Sequence, residues 1–404
     1  MAKTSHPWLR IFLPFAAGYF LSYLLRNVNA IIAPELMTDL SVSAADLGLL
    51  TSAYLFAFGA FQLPLGILLD LYGPRRVETV LLLIAVGGCL LFSQGHSLQA
   101  LAVGRALIGL GVSACLMASF KAFSLWFPPE RLASLNAAVM AAGGLGALTA
   151  TSPLAWALER TGWRGIFLAL AALTLTVAAG IFTTPVRQAA GTTETLGEQL
   201  RSIGGILASS AFWRYAPQAA LVSGGFMALQ GLWAVPWLMT VNGCTRDTAA
   251  FHLLLVSIAM LVGFAGLAVA VEPLARRGLT PEHILVGGIS AGVAVMALII
   301  FDAAPSRFLW FAMGLVFAIS NLSYALLSEK FPPHLFGRVN STLNIFVLGG
   351  AFGIQWGIGI LIDTFGSAGF ARPEAFRLSF GALLAVQVFA WIVLLLPGKK
   401  KAQP

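Results

Sequence analysis

Three cations sit deep inside apolar stretches of this chain: Arg26, Arg105 and Lys121. A charge buried in hydrocarbon is costly unless it finds a counter-ion, water or a change of protonation. All sixteen Asp and Glu residues fall at or beyond the ends of the apolar stretches. No acid is therefore expected to neutralise these cations, and an anionic ligand could do so instead. Tyr19, Tyr23 and Arg26 recur at i, i+4 and i+7, which is one face of a helix. A guanidinium can grip a carboxylate or phosphate through two parallel hydrogen bonds. Phe226, Gln230, Trp233 and Trp237 form a second stripe, at i, i+4, i+7 and i+11. Asn321 with Tyr324, Asn340 with Asn344, and Gln355 add groups that could bond a polar ligand. Packing is the competing reading for the aromatics, and interhelical hydrogen bonding for the amides. Arg105 reads better as a tie between helices than as a ligand. Lys121, five residues before Trp126, either snorkels to headgroups or meets an anion.

The elements that must position these residues are membrane-spanning. The chain is 58% hydrophobic and 10% charged, with a mean hydropathy of +0.87, whereas soluble domains carry about 25% charged residues. About twenty apolar residues span a bilayer as a helix. Twelve such runs are read, near 10–33, 47–70, 77–95, 99–126, 132–158, 165–184, 212–240, 249–272, 283–302, 306–328, 339–363 and 376–397. The second six copy the first. Pro34 to Thr38 (PELMT) recurs 202 positions later as Pro236 to Thr240 (PWLMT). Asp70 and Arg75 recur as Glu272 and Arg277 at the same offset. Phe127-Pro128-Pro129 recurs as Phe331-Pro332-Pro333, with Asn136 and Asn340, Gly146 and Gly350, all at an offset of 204. The expected fold is an all-α membrane protein of twelve transmembrane helices in two six-helix pseudo-symmetric halves, 1–184 and 212–404, joined by a central cytoplasmic linker, 185–211. Two parallel copies are a known plan for transporters, with the substrate site where the repeats meet.

A net charge of +8 invites a nucleic-acid partner, but its distribution speaks against one. With both termini inside, fifteen Lys and Arg fall in cytoplasmic segments and six outside. That bias places both termini in the cytoplasm. The first apolar run is too long for a cleaved signal peptide and contains Arg26. Cys89, Cys115 and Cys244 are scattered and form neither metal spacing nor a disulfide framework. No phosphate-binding loop is present, which argues against transport driven by ATP hydrolysis in this chain. No cofactor and no metal are expected. A membrane sensor would want a soluble output domain, and an embedded enzyme a cluster of His, Asp or Glu; the sequence offers neither.

Gly66-Ile67-Leu68-Leu69-Asp70-Leu71-Tyr72-Gly73-Pro74-Arg75-Arg76 resembles the signature loop between helices 2 and 3 of the major facilitator superfamily. Gly104-Arg105 through Gly111 is similar to its helix 4 motif, and Trp126 to Arg131 and Gly162-Trp163-Arg164 fit it too. The resemblance implies that helices 1, 4, 7 and 10 line a central cavity, and that the two stripes oppose each other there. It also implies that Asp70 faces the start of helix 11, near Arg338. The repeat then sets Glu272 opposite Arg131, the two contacts forming a cytoplasmic gate. Gly66 is expected to let helix 2 approach a neighbour closely. The helix 5 region has Gly143-Gly144-Leu145-Gly146 but no Gly-Pro pair, so it departs from the drug antiporters of the superfamily.

Tyr23-Leu24-Leu25-Arg26-Asn27-Val28-Asn29 also resembles helix 1 of the organic anion:cation symporter branch. The resemblance gives Arg26 the role of substrate contact. The branch has an aspartate where this chain has Leu25, which leaves proton coupling by that route unsupported. The expected function is alternating-access transport of a small organic anion or zwitterion by a monomer in the inner membrane. H+ is the coupling ion the superfamily offers. The expected contacts are Tyr19, Tyr23, Arg26, Lys121, Phe226, Gln230, Trp233, Asn321, Tyr324 and Asn344. An exporter of amphipathic compounds is the alternative.

Overall fold

A lipid-spanning segment must satisfy its own backbone hydrogen bonds, and a helix does so within itself. A computed structural model describes residues 8–185, 196–302, 306–332 and 335–395, and among them there are helices and turns but no strand. Eleven helices among the described residues are long and apolar enough to cross a membrane. An apolar helix at Ser134–Thr149 is shorter. The fold is the expected all-α bundle, and the count of twelve spans is not established. Outward faces carry Phe56, Trp156, Val269 and Phe389, all exposed as lipid contact requires.

The chain divides into two compact units, 1–193 and 194–404. In the first, α1 (Leu13–Leu40) is followed by α2 (Ala44–Gln94). Ser43 caps α2 by accepting from the Asp46 N–H, and the Asp46 carboxylate accepts from the Ser43 N–H in return. α2 comprises two predicted spans joined across Gly73, whose φ of 77° is left-handed and suits glycine. α3 (Leu98–Val112) and α4 (Cys115–Trp126) share one span, broken at Ser113 and Ala114. The predicted fifth span, 132–158, is interrupted after α5 (Pro129–Thr149); α6 (Ser152–Phe182) resumes it and passes, across the non-helical Gly162 with φ 64°, into the predicted sixth. The reason for the interruption is Pro153 in the first turn of α6, which lacks an N–H and drives the preceding backbone out of the helical region.

The second unit opens with α7 (Leu196–Leu207), which lies inside the predicted linker. Its Ile206 is buried in a core with Phe212, Leu285 and Leu343, so this part of the linker is a docked helix. Residues 186–195 lie outside the described part. One span, Ser210–Thr240, contains α8 (Ser210–Gln218), α9 (Gly224–Ala228) and α10 (Ala234–Thr240), separated by π-helical turns at Ala219–Ser223 and Leu229–Trp233. Such turns often mark functional positions. α11 (Arg246–Arg276), α12 (Pro281–Ile300), α13 (Ser306–Ser320), α14 (Leu322–Ser328), α15 (Phe336–Ser367) and α16 (Arg372–Leu395) complete it.

The internal repeat reappears as repeated contacts. A methyl group added at Gly146 of α5 would collide with the Phe20 carbonyl of α1; one added at Gly350 of α15 would collide with the Ala220 carbonyl. Likewise Gly109 of α3 abuts the Tyr54 carbonyl, and Gly314 of α13 the Val256 carbonyl. Membrane helices associate through such small residues, because lipid gives apolar side chains no reason to hide. Gly66 is different: nothing lies within 4 Å of an added methyl. The expectation that Gly66 permits a close approach is corrected.

Candidate substrate-binding site

α1 projects Tyr19, Tyr23 and Arg26 together. The Tyr19 and Tyr23 rings meet edge to face with centroids 5.1 Å apart. The Arg26 guanidinium carbon lies 4.9 Å from the Tyr23 ring centroid and 5.0 Å from that of Phe58. Aromatic faces attract a cation but leave its net charge in place. Among the described residues no carboxylate pairs with Arg26, and its Nε makes no hydrogen bond. The side chain is half-buried. Gly143 of α5 lets the Tyr19 and Tyr23 rings pack against that helix. Tyr54 and Phe58, at i and i+4 on α2, stack with centroids 6.0 Å apart. Neither was among the expected site residues, although their spacing marks a shared helix face.

Arg105 is fully buried. Its Nη1 donates to the Leu25 carbonyl at 2.9 Å, and its guanidinium carbon sits 4.9 Å from the Tyr54 ring centroid. It ties α3 to α1 one residue away from Arg26. Lys121 departs from expectation. Its Nζ donates to Asp70 Oδ1 at 2.5 Å, both side chains being one-quarter exposed. An ammonium matched in this way does not offer a second open cationic contact in this conformation. Lys121 is thereby corrected from substrate contact to partner of the loop acid. Arg75 turns onto the Phe182 ring, 4.8 Å from its centroid. Asp70, Gly73, Arg75 and Arg76 line a small cleft with Trp126. Arg131 and Arg277 are exposed, and Arg338 donates to Ser202 Oγ at 3.0 Å. The side chain of Glu272 lies outside the described residues.

In the second unit the expected contacts are engaged by neighbouring protein groups. Phe226 stacks on Phe317 with centroids 4.1 Å apart. Gln230 Nε2 donates to Ser257 Oγ at 3.4 Å. Trp233 Nε1 donates to the Gln355 carbonyl at 2.8 Å, and the ring is fully buried. Trp237 is also fully buried, stacked on Phe380 at 4.2 Å. The Tyr324 hydroxyl donates to Asn344 Oδ1 at 3.0 Å, while Asn321 Nδ2 donates to its own helix at the Phe317 carbonyl. Trp233 in this conformation is packing rather than the wall of an open pocket.

A sequence model of the Major Facilitator Superfamily matches residues 15–354. The chain belongs to the Major Facilitator Superfamily. Family and membrane-length helices together make it a multi-pass membrane protein. Relatives within the superfamily include the probable sulfoacetate transporter SauU of Cupriavidus necator, 27% identical over 173 residues, 43% of this chain and 40% of the relative. The hexuronate transporter of Escherichia coli is 29% identical over 156 residues, 39% of this chain and 36% of the relative. The galacturonate transporter of Dickeya chrysanthemi is 28% identical over 158 residues, 39% and 46% of the two chains. The matched stretches therefore span less than half of each relative's length. A bacterial homolog to the human lysosomal transporter Spinster, solved inward-facing and unoccupied, superposes with a TM-score of 0.77 at 18% identity, covering 96% of this chain and 97% of the other. The POT family transporter PepTSo superposes with a TM-score of 0.79 at 13% identity, covering 96% of this chain and 97% of the other. At these identities the likeness shows the fold.

One buried acid escaped the sequence reading. Glu78, near the start of the third predicted span, is fully buried. Its carboxyl lies against Gly18 of α1 and beside the Cys115 thiol. The expectation that every acid lies at or beyond a span end is corrected: the superfamily fold encloses this one.

Proposed function

We propose that this superfamily member is a secondary transporter of small organic anions, working by alternating access, with Arg26 receiving the substrate carboxylate. The observation that carries the reading is the Arg26 guanidinium, set between the Tyr23 and Phe58 rings without an acid partner among the described residues. The printed names of three relatives, a sulfoacetate, a hexuronate and a galacturonate transporter, support the same substrate class. The Tyr23 and Phe58 rings offer stacking surface to the apolar face of a sugar acid, while the guanidinium fork addresses its carboxylate. We place the protein in a bacterial inner membrane with both termini cytoplasmic, on the fifteen-to-six distribution of basic residues.

The test is uptake of labelled galacturonate, glucuronate and sulfoacetate into proteoliposomes, with thermal stabilisation of the purified protein by each acid. Stabilisation by at least one acid, lost in Arg26→Ala and not restored by Arg26→Lys, is the expected result. Uptake that survives Arg26→Ala at wild-type affinity sinks the assignment.

A further inference from the structure

Glu78 is an acid held where an unmatched negative charge is hard to sustain. Its side chain is fully buried, and among the described residues neither carboxylate oxygen has a hydrogen-bond partner. The groups around it come from three other elements. α1 presents Gly18, which has no side chain and so leaves space for the carboxyl; α6 presents Ile181 near the same place. The span containing α4 presents Cys115. On its own helix, Arg75 stands three residues earlier but is turned onto Phe182, and no ion pair joins it to Glu78. Lys121 of α4 is already held by Asp70. The thiol of Cys115 is thus the titratable group in contact, and no cation faces the carboxyl among the described residues.

The second unit shows what a matched acid looks like: Glu282, at the start of α12, bonds Arg214 of α8 at 2.6 Å.

We propose that Glu78 is a proton-binding site. Its carboxylate takes a proton from water, forming one O–H bond, when α1, the α4 span and α6 enclose it. It returns that proton to water when those helices part. Enclosure without a cation makes the ionised form expensive, and proton uptake removes that cost. A hard metal cation would require several oxygen ligands, and Gly18, Ile181 and Cys115 supply no side-chain oxygen. Coupling of this proton to substrate movement rests on the transporter reading above; the proton site itself does not.

The test uses the full chain reconstituted in lipid. Infrared spectra across a pH titration are expected to show the carbonyl band of an un-ionised carboxylic acid that disappears as pH rises. The band is lost in Glu78→Gln and retained in Arg26→Ala. Should Glu78→Gln fail to fold, Gly18→Ala, which crowds the carboxyl, is expected to move the titration midpoint of that band. A band unchanged in Glu78→Gln, a midpoint unmoved in Gly18→Ala, or no titrating band in the parent chain overturns the site. Galacturonate uptake is then expected to follow an imposed pH gradient in the parent and to lose that response in Glu78→Gln. A sodium gradient that drives uptake in place of the pH gradient overturns coupling through Glu78. Absence of uptake for every acid, with the infrared band intact, counts against the substrate reading alone, because the infrared measurement contains no substrate.

Discussion

The two halves share a packing scheme and differ in what they bury. Gly146 and Gly350 each admit a helix carbonyl, as do Gly109 and Gly314. At Arg26, however, the position 202 residues later is Ala228, and 205 residues after Arg105 stands Trp310, both buried. The first half encloses the Arg105 guanidinium and the Glu78 carboxyl; the second encloses Trp233, Trp237, Phe376 and Phe380. The close-approach positions are fixed by sterics, which both copies must obey. The polar interior is free to diverge, because one copy can carry charge chemistry while the other supplies surfaces.

The comparison breaks most readily at the shared contacts. Gly146→Val and Gly350→Val each force a side chain into a backbone carbonyl, which cannot swing aside. Each is expected to reach or exceed the upper end of the roughly 1–3 kcal/mol typical of overpacking. Thermal unfolding in detergent measures it, and a large loss in only one variant would show that the halves do not share this crossing.

Next in size is the asymmetric site. Arg26→Ala removes a charge-assisted contact worth about 1.5–3 kcal/mol, which corresponds to about ten- to 150-fold weaker acid binding. Trp233→Phe keeps an aromatic side chain but removes the pyrrole part of the indole and its bond to Gln355; it is expected to lower stability and leave binding within a few-fold. Titration calorimetry with galacturonate separates the two, and equal losses would erase the functional difference between the halves.

A smaller loss is expected for Tyr324→Phe, which removes the hydroxyl bonded to Asn344. About 0.5–1.5 kcal/mol of stability should go, with substrate affinity retained; a fall in affinity without a fall in melting temperature would move Tyr324 back among the ligands. The smallest effect belongs to the Lys121 and Asp70 pair. A double-mutant cycle over Lys121→Ala and Asp70→Asn should give a coupling of at most about 1 kcal/mol, as for other partly exposed pairs.

Much of the fold is legible in the sequence: lipid demands long apolar runs, and the internal repeat shows as offset motifs. The break between α5 and α6 was missed because hydropathy is blind to a proline placed at the start of a helix. Arg26 stood out as a cation in an apolar run without an acid nearby in sequence. The Lys121 and Asp70 pair did not, since the partners are 51 residues apart and only helix packing brings them together. Glu78 hid beside Arg75 and Arg76, in a stretch that looks like an ordinary span end. What the sequence could not reveal is that Gly18, on a different helix, leaves a place for its carboxyl.

The carbonyls of Phe20 and Ala220 each rest where a neighbouring residue has only hydrogen to offer. A library that randomises Gly146 and Gly350, selected for growth on the transported acid, should return the same letter at both places, whatever the surrounding helix faces become. The tightest constraint on this protein's future would then sit at two atoms that take no part in handling cargo.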